Sequence, residues 1–168
     1  ILLAGQRSEN LAVIAGNVTS RLDKQEKDFY RLLEDNNLLR RLATGSYTIE
    51  DLDLLTHKPY SILLYQNGLL VYWNNNEVVP EKPYWYEDYR PGVHYEKFQN
   101  AIYQLIIRQY QTSGQASLNG LTAVALFPVE YRYEIENQYL TNGVNPLLKA
   151  PGNIAFSLTK TENAVRAG

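Results

Sequence analysis

The stretch YSILLYQNGLLVYWNNN, residues 60–76, decides the fold. Asn67-Gly68 is the pair best suited to the two left-handed positions of a type I′ turn, and it stands between two apolar runs. Residues 60–66 and 69–74 are therefore expected to pair as an antiparallel hairpin. Ile62, Leu63, Leu64, Leu69, Leu70 and Val71 occupy consecutive rather than alternate positions. Both faces should then be covered, one of them by a helix, which makes this a central hairpin. Its ends carry Tyr65, Tyr72 and Trp73, rings that would form the floor of a small cleft.

Upstream, residues 8–44 hold no proline and only Gly16 as an interior glycine. Leu11, Ile14, Val18, Leu22, Phe29, Leu32 and Leu33 recur at spacings dominated by three and four, which predicts one long helix with a single apolar stripe. Its middle, RLDKQEKD at residues 21–28, is charged with both signs, so most of the girth faces water. Two roles fit such a helix: a core helix with a frayed start, or a stalk that packs against its symmetry mate in a dimer. Gly45 supplies a stop, Thr48 with Asp51 reads as a capping box, and Pro59 closes the short helix that follows.

Downstream, residues 77–97 carry Pro80, Pro83 and Pro91 among many aromatic side chains, without helical or alternating period. A loop of this length and aromatic content is expected to be functional. Residues 101–111 and 121–129 read as a second antiparallel pair, with Pro128 ending regular pairing. Residues 130–153 form a second polar, aromatic crossover with a helical turn around 135–140, and residues 154–159 a last short strand.

The 168 residues are enough for one domain with a real core, and 45% hydrophobic with 20% charged residues places the chain among folding sequences. A net charge of −2 with scattered basic residues gives no footprint for nucleic acid. The absence of cysteine excludes disulfides and thiolate chemistry. No window approaches the apolar length of a membrane span, and ILLAGQRSEN lacks the basic start of a signal peptide. With no methionine, the chain is expected to be a fragment or processed form whose flanking segments were cut away.

Catalysis has little to stand on. His57 and His94 are far apart and lack metal-ligand spacing, and no nucleophile-elbow, zincin, P-loop or dinucleotide motif is present. Glu87, Asp88, Glu130, Glu134 and Glu136 are the carboxylates from which an acid/base pair would have to come, but they lie among tyrosines in polar loops. No cofactor or metal is implied. Binding is better supported, because tyrosine outnumbers phenylalanine 14 to 4 and joins an apolar body to a polar tip. Trp85, Tyr89 and Arg90 on the first crossover, and Tyr131, Arg132 and Tyr133 on the second, would line a cleft over Tyr65, Tyr72 and Trp73. Arg90 and Arg132 could fork onto a ligand carboxylate there. The competing reading makes these rings a second hydrophobic cluster.

The order helix, β-β, crossover, β-β-β resembles that of extracytoplasmic PAS-like, Cache-type sensor domains. SILLYQNGLLVYWNNN and LFPVEYRYEIENQYLTNGVNP, each before a further loop or strand, are similar to periplasmic regions of Bacteroidetes-type membrane-bound sensor histidine kinases. The resemblance spans residues 11–159. It implies an α+β domain over residues 1–168, with a long N-terminal helix at 8–44 on a five-stranded antiparallel sheet at 60–159. It further implies a non-catalytic input domain, homodimeric through that helix, binding a small molecule and anchored in the inner membrane by flanking helices. The Tyr, Arg and Asp set of amino-acid-binding Cache domains has no counterpart that aligns here, so ligand identity does not carry over. Two alternatives stand beside it: a secreted carbohydrate- or peptide-binding module, and a small hydrolase with paired carboxylates.

Overall fold

The computed structural model describes residues 2–4, 10–78, 80, 82, 84–98, 100–110, 118–158 and 165–166. The expected helix start at Ser8, the strand ends at Gln111 and Thr159, and the loop residues 112–117 lie outside these. The elements in chain order are β1 (Leu2–Ala4), α1 (Leu11–Leu32), α2 (Asn36–Thr44), α3 (Ile49–Thr56), β2 (Ser61–Gln66), β3 (Leu69–Trp73), β4 (Gly92–Phe98), β5 (Ala101–Tyr110), β6 (Leu121–Tyr131), β7 (Gly143–Val144), β8 (Ala155–Ser157) and β9 (Val165–Arg166). Short 3-10 turns lie at Trp85–Asp88 and Pro146–Leu148. The architecture is α+β, with a main sheet ordered β3-β2-β6-β5-β4, β7 added to β6, and a small sheet ordered β8-β1-β9. The five path strands follow one another as β2-β3, a crossover, then β4-β5-β6, and the first and last of them are neighbours. Contacts gather into two compact units: Phe29–His94 with Leu105–Phe127, and Ile1–Asp28 with Tyr95–Gln104 and Pro128–Gly168.

In the first of these units the expected single helix proves to be two. Asp35 breaks it: its side chain accepts from the backbone N–H groups of Asn37 and Leu38, both at 3.0 Å, and so caps α2. An aspartate that satisfies two orphan N–H groups favours a fresh helix start over continuation. Gly45, with φ of 71°, ends α2 in a Schellman arrangement, Ser46 N donating to Arg41 O and Gly45 N to Leu42 O. The Thr48–Asp51 capping box forms as expected. Asp51 also receives the Arg41 guanidinium in two bonds of 2.7 and 2.6 Å, tying α2 to α3. This pair draws the Asp51 carboxyl down to about 2. Leu38, Leu39, Leu42 and Leu55 are buried, and Phe29 meets Tyr60 edge-on at 5.9 Å.

The hairpin forms around Asn67 (φ 49°) and Gly68 (φ 83°), the double positive φ of the expected turn. Only half of it is central. β2 is buried along nearly its whole length and pairs on both sides, whereas β3 is an edge strand that leaves Leu69 66% exposed. Asn74, just past β3, fastens this edge. Its Oδ1 accepts from Ile62 N at 2.7 Å, and its Nδ2 donates to Leu55 O at 3.0 Å and Tyr60 O at 3.1 Å.

In the other unit, Leu11, Ala15, Val18 and Leu22 form the buried stripe of α1. The main surprise is the small sheet, in which β1 pairs with β8 (Leu3↔Phe156) and β9 (Leu2↔Arg166). β6 does not stop at Pro128. Its β2 partners end at Leu126 and its β7 partner begins at Glu130, so the residue without an N–H falls between the two ladders. No helical turn forms at 135–140, where the Asn137 side chain instead accepts from Tyr139 N and Leu140 N in an Asx turn. β4 occupies the end of the stretch expected to be irregular. Its run of half-buried residues lacks the alternation that marks a strand in sequence.

Candidate functional site

Six of the nine candidate residues belong to the unit built on the hairpin, and Tyr65 leads them. It lies on β2 with its ring 4.3 Å from Tyr86, and its hydroxyl accepts from the Trp85 indole N–H at 2.9 Å. Trp85 meets Tyr89 edge-on at 6.1 Å, and Tyr89 leans on His94 at 5.4 Å. The 3-10 turn at Trp85–Asp88 begins at Tyr84, which takes a left-handed φ of 61° and lays its ring against Gly68, where a β-carbon would collide with it. Burial pushes the Tyr65 and Tyr86 phenols up, with the Glu87 carboxylate adding to the effect at Tyr86. Tyr65, Trp85 and Tyr89 thus come together as one aromatic cluster, in which Tyr86 is buried as deeply as Tyr65.

The other candidates do not join it. Tyr72 is the register partner of Leu64, one residue from Tyr65 and so directed to the opposite face, where Tyr47 lies 5.7 Å away. Burial, then Tyr47 and Asp51, push its phenol up to about 12. Trp73 is 52% exposed and donates to Asn76 Oδ1. Arg90 is exposed, and its carbonyl receives the His94 imidazole at 2.7 Å.

In the other unit, Tyr131 and Tyr133 stack with planes 8° apart at 5.8 Å. Arg132 has its fork on Glu130, at 3.0 and 3.1 Å, and donates to Phe156 O at 2.7 Å. The same Glu130 accepts from Phe156 N at 2.8 Å. Both backbone groups of Phe156 on β8 are therefore held by an ion pair at the end of β6. The expected fork of Arg132 on a ligand carboxylate gives way to this clasp, because an internal carboxylate two residues away is always within reach.

A pocket of 260 Å³ at the hairpin turn joins Tyr86 and Glu87 of the first crossover to Gln109, Tyr110 and Thr122, three residues outside the expected cleft. Two glycines make it compact. Gly120 (φ 75°) has no room for a β-carbon against Asn67 Oδ1, and its carbonyl receives Asn67 N at 2.9 Å. Thr122 is the signal that could have found it, a hydroxyl within the otherwise apolar LTAVALFPV. Thr122 pairs with Tyr65, which sets both on one face.

Among the described residues, no three His, Asp or Glu side chains cluster as a metal site requires, and no helix is long and apolar enough to cross a membrane. No protein-family model, no curated protein and no solved structure matches the chain.

Proposed function

We propose that this chain is a PAS-like extracytoplasmic input domain of a two-component sensor histidine kinase, binding a small ligand and performing no catalysis itself. The observation that carries the reading is the order of elements: a leading helix, the β2-β3 hairpin, a crossover, then β4-β5-β6. The resemblance counts the same number of strands but rests on a fifth at 154–159, which pairs as β8 in the small sheet, while β4 fills the place in the main sheet. The aromatic cluster of Tyr65, Trp85, Tyr86 and Tyr89 beside a polar pocket supports a ligand-binding role. Homodimerisation through α1 belongs to the proposal. The α1 groove has small side chains at Ala12, Gly16 and Ser20, which lets a second helix come close, and the charged Asp23 and Lys27 beyond them. Signalling would be a bias between two helix packings, driven by a ligand that binds one of them better.

The test is made on the full-length protein in membranes. The reading expects this segment to be cut by protease added from the extracytoplasmic side, and purified membranes to autophosphorylate on histidine. A full-length product that stays in the soluble fraction, or lacks histidine autophosphorylation, would overturn it.

A further inference from the structure

The pocket at the hairpin turn contains polar groups that the fold leaves unused. Tyr86 is 3% and Thr122 8% exposed, yet among the described residues neither hydroxyl makes a hydrogen bond. Both hydroxyls open to the pocket rather than lying sealed in the core, since among the described residues the one buried side-chain polar atom without a partner is Gln104 Oε1. Gln109, half-buried on the same rim, also has an amide without a partner among the described residues. By contrast, the Tyr110 hydroxyl is spent on Leu33 O at 3.1 Å, leaving its ring to the wall.

The charge of the pocket is one-sided. Glu87 is exposed, and among the described residues it forms no ion pair and no Lys, Arg or His lines the site. An anionic ligand would meet that carboxylate, with the Arg108 guanidinium set apart on the Tyr110 ring. A ligand with an ammonium group would meet Glu87 and the Tyr86 ring, the Tyr110 ring being faced by the Arg108 guanidinium at 5.8 Å, and its hydroxyls would meet two hydroxyls and an amide that can donate or accept. The volume of 260 Å³ is small for a drug-sized ligand and leaves room for about a dozen non-hydrogen atoms.

We propose that this pocket takes a small hydroxyl-rich amine of amino-sugar size, with Glu87 holding the ammonium and Tyr86, Thr122 and Gln109 the hydroxyls. The inference rests on the sensor reading only for its role as a signal. The two fail separately, because binding is measured on this chain alone and membrane topology on the full-length protein.

The experiment is calorimetric titration of the chain with glucosamine, glucose and glucuronate, which share a ring and differ in charge. Glucosamine should bind, glucose about tenfold more weakly, and glucuronate not at all, since a hydrogen bond to a charged group is the difference. Glu87→Gln should erase the preference for glucosamine over glucose. Tyr86→Phe and Thr122→Val should each weaken glucosamine by about three- to tenfold, one hydrogen bond apiece. These two variants delete hydroxyls that bond to nothing among the described residues, and Glu87 is exposed, so unfolding midpoints equal to the parent's separate lost binding from lost structure. No saturable heat with any of the three sugars would overturn the proposal. So would equal affinity for glucose and glucosamine, or a preference that survives Glu87→Gln.

Discussion

Replacing Asn74 by alanine should unfold the hairpin edge out of proportion to the size of the change. The side chain makes three bonds to the backbone of three different segments: Ile62 N at the start of β2, Leu55 O at the end of α3 and Tyr60 O between them. Leu55 O keeps Lys58 N as a partner, so its loss is mild. Ile62 N–H is the costly orphan, because that residue is 1% exposed and its N–H faces β3 rather than β6. At about 1 kcal/mol for each bond, with a further penalty for one buried donor left unmade, the loss comes to about 3 kcal/mol. The control is Asn76→Ala, which removes one exposed bond from the Trp73 indole and should cost less than about 1 kcal/mol. Urea unfolding followed by fluorescence reads both, since Trp73 and Trp85, the two tryptophans of the chain, report on this unit. A loss for Asn74→Ala no larger than that for Asn76→Ala would refute the reasoning.

Three further outcomes follow from single residues. The Asp51 carboxyl is lowered from 3.8 to about 2 by Arg41 and the Thr48 N–H. A depressed folded value means that its contribution is present above 3.8 and lost as pH falls through about 2. Acid unfolding should therefore be shallower over that window in Asp51→Asn, and identical acid limbs would contradict the ion pair. Gly120→Ala should lower stability by roughly 1–2 kcal/mol, for its left-handed backbone alone, in a thermal melt; an unchanged melting temperature would argue against that turn. Arg132→Ala removes half of the clasp on Phe156, so amide exchange at Phe156 should quicken while exchange at Ile62 stays as it is. Equal protection at Phe156 in parent and variant would show that Glu130 holds that amide without help from Arg132.

What the sequence made legible is local chemistry. Asn67-Gly68, Gly45 and the Thr48–Asp51 box each demand a backbone conformation that few other residues supply, and each stands where it was expected. The Asp35 break was equally local, but no proline or glycine marks it and leucines resume at Leu38 and Leu39. What stayed hidden depended on pairing across long separations. β1 has only three residues, and its partners lie more than 150 positions away. The edge position of β3 could not be read from Leu69 and Leu70, since apolar residues on an edge look the same as buried ones.

Of the candidate residues, proximity in sequence served Trp85 and Tyr89, whereas Tyr72 was misdirected by the side-to-side alternation of β3 and Arg132 by the carboxylate two residues before it. The pocket at the turn was missed because aromatic richness drew attention away from the lone hydroxyl of Thr122.

The pairing of Leu2 with Arg166 has a mechanical consequence. Directly opposed residues of an antiparallel ladder stand about 5 Å apart, so segments attached at the two ends of the chain would leave from nearly the same point. The domain could be spliced into a loop of another protein with little need for a linker. Tension between two such segments would load the β1–β9 ladder by peeling, bond after bond, rather than in shear. Its two residue pairs would part well before Glu130 and Arg132 released β8.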